Sequence, residues 1–183
     1  MKHNIYILLL VITSGFTQCC KEKPNNNNDN DIPGLPPATQ TGANTLGFLL
    51  NGVPWTPAGN NGTANLSIDF DPGINNGGFG IFGYRGIAVG NVEYFGIGIT
   101  DSLNFKTAPF SLLLYNKSKY SILFLRNSCD HRWTDTLVKA SGSLTVSKLD
   151  RTNNVIAGAF NATLIKNGCD TIRITEGRFD MKF

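Results

Sequence analysis

From Thr41 onward the chain alternates apolar and polar residues at every second position, in short runs broken by Asn, Gly, Asp and Pro. That period matches a strand with one buried face, because successive side chains point to opposite sides of the pleat. Leu66, Ile68 and Phe70 share a face, with Ser67 and Asp69 opposite, and Asp71-Pro72-Gly73 turns the chain. Phe95, Ile97 and Ile99 form a second apolar row, opposed by Gly96 and Gly98. Leu144 and Val146 alternate with Ser143 and Thr145, and Ile156, Phe160, Ala162 and Leu164 alternate with polar or small neighbours. A last strand is predicted within Thr171 to Phe183. The apolar runs Phe110 to Tyr115 and Tyr120 to Leu125 flank Asn116-Lys117-Ser118-Lys119 and predict a hairpin with an exposed tip, placing Leu112 and Phe124 in the core.

Asn51-Gly52 lies between Phe48-Leu49-Leu50 and Val53-Pro54-Trp55, and supplies the two positive φ values of a type I′ hairpin. Pro54 cannot donate to a ladder, which puts its strand at an edge or its nitrogen toward solvent. About ten strands without a helical period predict an all-β fold with two candidate architectures, an antiparallel β-sandwich or a lipocalin-like β-barrel. The sandwich is expected, because such a barrel usually adds a C-terminal helix that the pattern lacks.

The first forty residues follow another pattern. Lys2 precedes an apolar run, Ile5 to Val11 and on to Ile12, too short to span a bilayer and too apolar for a soluble terminus. Phe16-Thr17-Gln18-Cys19-Cys20 follows, with Phe16 three positions before Cys19, as a lipoprotein signal requires. Cys19 is the expected lipid anchor, with Cys20 as the alternative. Residues 1–18 then read as the signal peptide, 19–40 as the lipidated cysteine and a disordered tether of Pro, Asn, Asp and Gly, and 41–183 as one β domain. An ordinary secreted protein is the competing reading.

Removing residues 1–18 leaves 15 Lys and Arg against 13 Asp and Glu. So small and scattered a charge gives no nucleic-acid surface. Abundant glycine, 20 of 183, suits an extracytoplasmic β protein.

Cys129 and Cys169 remain in the domain, in the similar settings Asn127-Ser128-Cys129-Asp130 and Asn167-Gly168-Cys169-Asp170. Outside the cytoplasm such a pair is expected to form a disulfide. Two separate thiols, or a metal site using His131, are the alternatives; a closed zinc site would need a fourth ligand from scattered acids, so no metal or other cofactor is expected. His131 is also the single histidine left after export, and no glycine-flanked serine elbow exists, which argues against a hydrolase of the nucleophile type. The carboxylates Asp69 with Asp71, or Glu93 with Asp101, could serve a glycosidase if they faced a cleft, but acids at strand ends commonly mark solvated turns. Gly77-Gly78-Phe79-Gly80 lacks the lysine of a phosphate loop.

Glycines suggest a different chemistry. Gly78 and Gly80 leave one strand face bare, as do Gly96 and Gly98 on another. If those strands pair, a flat strip could floor a groove lined by Tyr84, Tyr94 or Trp133, suited to stacking a sugar ring or an apolar ligand. The competing reading is that bulky side chains or a loop pack on the bare backbone.

Three stretches carry a family likeness: Leu35 to Thr45 leading into Asn51-Gly52-Val53-Pro54-Trp55, Gly142 to Leu164, and Ile174-Thr175-Glu176-Gly177-Arg178-Phe179-Asp180. They resemble an uncharacterised family of Bacteroidota lipoproteins, over most of the mature chain. The resemblance implies an all-β lipoprotein of the cell envelope, anchored through its N-terminal lipid to a membrane, with the outer membrane expected; it transfers no catalytic residue. Asp101-Ser102-Leu103, Asp135-Thr136-Leu137 and Asp170-Thr171-Ile172 are similar to Bacteroidota O-glycosylation sites, with Ser102, Thr136 and Thr171 as acceptors, although the same dipeptides also mark turns. The expected function is a non-catalytic binding or adhesion module with a glycan or protein ligand. The alternatives are an unrecognised hydrolase of an envelope or extracellular polymer, or a purely structural envelope component. If the acceptors are used, the intact mass of the native protein should exceed that of the lipid-corrected cytoplasmic product by whole glycan units; equal masses would remove the assignment.

Overall fold

A computed structural model describes residues 31–59, 62–88, 91–114 and 119–183, so the signal peptide, Cys19, Cys20 and the first part of the tether lie outside the described residues. The strands are β1 (Thr45–Leu50), β2 (Val53–Trp55), β3 (Leu66–Asp71), β4 (Gly78–Ala88), β5 (Asn91–Ile99), β6 (Phe110–Leu113), β7 (Tyr120–Arg126), β8 (Cys129–Arg132), β9 (Val138–Asp150), β10 (Val155–Lys166) and β11 (Ile172–Lys182). They form two antiparallel sheets, a six-stranded one in the order β2-β1-β11-β10-β9-β6 and a five-stranded one in the order β3-β4-β5-β7-β8. Both sheets keep free edges, so the fold is the sandwich and not the closed barrel.

Local chemistry explains several elements. Asn51 and Gly52 take φ values of 48° and 85° and close the β1–β2 hairpin, leaving Pro54 on the edge strand β2. The Asn51 side chain also accepts from the Arg173 N–H and donates to the Thr171 carbonyl, which ties this turn to the start of β11. Asp71 Oδ1 accepts from the N–H groups of Gly73 and Ile74, fixing the turn after β3.

The expected hairpin between residues 110 and 125 is not formed. β6 pairs with β9 in the six-stranded sheet, whereas β7 pairs with β5 and β8 in the other, so the chain crosses between layers there. Alternation states which face is buried, not which strand lies alongside. Leu112 and Phe124 are both buried, as expected, but on opposite sides of the core.

A second difference concerns the boundary expected at residue 41. Leu35 is buried, and Thr39, Thr41 and Gly42 bond to Asp180, so the chain from about Gly34 onward is a strap packed on the six-stranded sheet. Pro36 and Pro37 preset its extended path, and Leu35 gives it an apolar foothold.

Phe48, Trp55 and Phe160 from one sheet meet Phe95 from the other in the middle of the core. Phe48 stacks on Trp55 at 4.7 Å and Phe95 on Phe160 at 5.2 Å. At one end of this cluster Glu93 is fully buried. Its Oε2 accepts from Trp55 Nε1 at 2.7 Å and from Arg85 Nε at 2.9 Å, and its Oε1 accepts from Arg126 Nε at 2.6 Å. Replacing Glu93 by Gln leaves two guanidinium groups without their counter-charge, and should lower unfolding free energy by about 3 kcal/mol in urea titrations of the oxidised protein. A change under about 1 kcal/mol would show that the cluster is peripheral to stability.

Candidate functional site

The outer face of the five-stranded sheet holds most of the groove residues expected from the sequence. β4 and β5 do pair, with Gly80 opposite Gly98, Phe82 opposite Gly96 and Tyr84 opposite Tyr94. The strip is not an open floor, however. A Cβ at Gly80 would lie 2.8 Å from the Phe82 ring, and one at Gly96 would lie 3.0 Å from it, so Phe82 is laid across the bare backbone. The packing reading therefore holds for these glycines. Gly78 pairs with Asp71 at the far end of the strip. Trp133 is not on this face at all: it follows β8 and packs, half buried, against the core.

What the face offers instead is an aromatic ridge. Phe82 and Tyr94 are both 44% exposed, and the rings of Tyr84 and Tyr94 sit 5.2 Å apart, tilted by 58°. Beside Tyr94 lies a recess of about 290 Å³ lined by Val92, Tyr94, Leu125, Arg126, Asn127 and Asp130. Sequence reasoning found the two tyrosines but missed Phe82, although Phe82 and Tyr84 alternate with the inward Ile81 and Gly83 and so had to face outward.

Of the acids considered for catalysis, Glu93 and Asp101 lie at opposite ends of β5. Glu93 is saturated by Trp55, Arg85 and Arg126, while Asp101 lies beyond the other end of β5, about 27 Å away at the rise of a strand. Asp101 instead accepts from Ser102 Oγ at 2.7 Å, and that bond, with help from Lys119, outweighs its desolvation and holds its carboxyl below the ordinary range. Asp69 is exposed and Asp71 caps its turn. Of the three candidate glycosylation acceptors, Thr136 is exposed in the turn before β9, whereas Ser102 and Thr171 are half buried.

Cys129 and Cys169 form a disulfide with Cα atoms 5.9 Å apart, joining β8 of one sheet to the turn after β10 of the other. His131 lies beside it, 1% exposed, and neither ring nitrogen makes a hydrogen bond of ordinary geometry. Burial pushes its pKa below the usual value, and the nearby backbone of Asp170 and Cys129 offsets only part of that effect. It is a neutral core residue. Among the described residues, no three His, Cys, Asp or Glu side chains are placed to hold a metal ion.

A further concavity lies on the opposite side of the molecule. It is a groove of about 540 Å³ on the outer face of the six-stranded sheet, walled by Pro37 to Gln40 of the strap. Asp180 fastens that wall, accepting from Thr39 Oγ1 at 2.6 Å, Thr41 N at 2.9 Å and Gly42 N at 2.7 Å. Burial of this carboxylate favours its neutral form, but the Thr39 hydroxyl and the N–H groups of Thr41, Gly42 and Ala43 together outweigh that and lower its pKa.

Comparison of the chain with protein-family models, with curated proteins and with solved structures found no match.

Two acid-sensitive steps follow. His131 stays neutral when folded while the unfolded chain gains its proton, so stability falls as pH drops below the ordinary histidine value of about 6.5. Asp180 contributes fully above the ordinary aspartate value of about 3.9, and that contribution is lost as pH falls through its lower folded value. Urea titrations between pH 3 and pH 8 should resolve both, with Asp180→Asn removing the lower step and costing about 2 kcal/mol at neutral pH. An unchanged lower step in that variant would remove Asp180 as its origin.

Proposed function

We propose that this chain is a lipid-anchored cell-envelope module that binds a glycan on the outer face of its five-stranded sheet and carries out no chemistry of its own. The observation that carries the reading is the ridge of exposed Phe82 and Tyr94 with half-buried Tyr84, beside a recess edged by Asn127 and Asp130. Aromatic faces stack on the apolar faces of sugar rings, while amide and carboxylate groups at the edge match ring hydroxyls. Phe82 covers the glycines, and the two tyrosines beside it extend the aromatic surface over a face that solvent reaches, which favours recognition.

Other features agree with that setting. The N-terminal pattern through Cys19 or Cys20 supports a lipid anchor, the likeness to Bacteroidota lipoproteins supports the envelope, and a structural disulfide suits an oxidising compartment. A tethered module can work with modest affinity, because anchoring raises its local concentration. The hydrolase reading loses support because Glu93 is consumed by two arginines and Asp71 by its turn.

Immobilised envelope and dietary polysaccharides probe this directly. The full-length protein in detergent micelles should bind at least one glycan of such a panel, and Tyr94→Ala should weaken it roughly tenfold with an unchanged near-ultraviolet dichroism spectrum. Binding that survives Tyr94→Ala and Tyr84→Ala together would sink the assignment of this face, and absence of binding across the panel would sink the glycan.

A further inference from the structure

The end of the sandwich where β3, β5, β9 and β11 finish carries apolar side chains that the core does not use. Two single-turn 3₁₀ helices, Ile74–Asn76 after β3 and Leu103–Phe105 after β5, lie side by side there. The N–H groups of Ser102 and Leu103 donate to the carbonyls of Asn75 and Gly77, and Asn104 Nδ2 donates to the Pro72 carbonyl. Arg151, from the turn between β9 and β10, donates through Nη2 to the carbonyls of Leu103 and Lys106. Leu103 is fully buried and roots the second turn in the core. Ile74 and Phe105, by contrast, are 58% and 75% exposed. The bonds between the turns hold both side chains in water, where a paired apolar exposure marks a surface for a partner.

The charges around these turns say what that partner is. The carboxylates of this end are engaged locally: Asp71 caps its turn, Asp101 accepts from Ser102 and pairs with Lys119, and Asp150 accepts from the N–H groups of Thr152 and Asn153. Among the described residues, Lys106, Arg151 and Lys182 have no carboxylate partner: Lys106 Nζ stands 5.9 Å over the Phe110 ring, Arg151 meets carbonyls, and the Lys182 side chain is exposed at the end of β11. Exposed apolar side chains bordered by such cations match a surface that is negative outside and apolar beneath, which is an anionic lipid bilayer. The chain length allows the approach. Gly34 of the strap lies against Pro54, which pairs with Leu49, and the four residues from Leu49 back to Thr45 cover about 13 Å at the rise of a strand. The eleven residues 20–30 span up to about 38 Å when extended, enough to bring this end to the membrane that holds the lipid.

We propose that this end of the domain is a docking surface for an anionic lipid bilayer, with Phe105 and Ile74 entering the interface and Lys106, Arg151 and Lys182 meeting headgroup phosphates. The lipid at Cys19 or Cys20 supplies attachment, and this surface supplies orientation. With the strand ends on the bilayer, the outer face of the five-stranded sheet stands upright and open to a ligand. The inference rests on the lipid-anchored reading only for the presence of the membrane.

Fluorescence quenching by spin-labelled lipid reads the orientation. The native lipidated protein is reconstituted in vesicles of phosphatidylglycerol and phosphatidylcholine that carry a nitroxide just below the headgroup. Phe105→Trp places a fluorophore on the proposed surface, and Leu137→Trp places one beside the far end of β9, where Leu137 is 71% exposed. Both positions lie outside the core, so both variants should keep the thermal stability of the parent. Emission added at position 105 should be quenched severalfold more than emission added at position 137, and Lys106→Gln in the Phe105→Trp background should shift docking about fivefold toward the free domain. Vesicles of phosphatidylcholine alone should quench position 105 less. The proposal is overturned by equal quenching at the two positions, by stronger quenching at 137, or by quenching indifferent to lipid charge. Absence of quenching at 105 overturns it in favour of an acidic protein partner. A chain that carries no lipid removes the anchor reading alone; added to the same vesicles in soluble form, it sustains the docking surface if position 105 is quenched and overturns it if not.

Discussion

The burial of one carboxylate governs this sandwich. An ionised side chain taken out of water costs several kcal/mol unless its oxygens are filled by donors, so every group that surrounds Glu93 is constrained by it. Trp55 comes from the six-stranded sheet, Arg85 and Arg126 from the two strands that flank β5, and all three converge on its two oxygens. The same convergence lays the Arg85 guanidinium over the Trp55 ring at 5.4 Å and brings Arg85 Nη1 to the Pro54 carbonyl at 3.2 Å. The short edge strand β2 is thereby held against the opposite sheet. Arg126 also lines the recess beside Tyr94, so the shape of that surface is fixed from beneath by an ion pair in the core.

The two outer faces have diverged in chemistry while sharing one core. On the five-stranded sheet glycines clear space for an aromatic ring, and the exposed surface is apolar with a polar margin. On the six-stranded sheet the outward side chains are hydroxyls and an amide, for example Asn161 Nδ2 donating to Ser143 Oγ at 2.8 Å. The strap crosses that face and leaves a walled channel. Arg178 and Asp180 are buried on this outer side because the strap covers them, and Asp180 is what fastens it.

Much of the architecture could be read from residue order. The Asn51-Gly52 turn, the edge position of Pro54, the inward rows of Leu66 to Phe70 and Phe95 to Ile99, and the pairing of Cys129 with Cys169 all rest on local chemistry or on the compartment. Failures came where the outcome depended on a distant partner. Nothing in the run from Phe110 to Leu125 states that its halves belong to different sheets. Glu93 looks like any strand acid until Trp55, Arg85 and Arg126 are brought to it. The strap is poor in apolar residues, so its composition matches a free linker, yet Asp180 supplies from the far end of the chain the acceptors that hold it. Candidate sites show the same division: the tyrosines were visible as outward aromatics, whereas the groove on the other sheet has a strap for its wall, and no local motif announces its fastening at Asp180.

The position of β11 sets the order in which this molecule can be assembled. It is the last strand of the chain and yet sits inside the six-stranded sheet, between β1 and β10, and Phe183 stacks on Phe70 of the other sheet at 3.8 Å. Until those final residues are present, β1 has only the three-residue β2 beside it, and the strap has no Asp180 to grip. One edge of β1 and the strap therefore stay without their partners until β11 is in place. Pairing of β1 with β11 is a contact of long sequence separation, and closing so large a loop slows the formation of this sheet relative to one built from neighbouring strands.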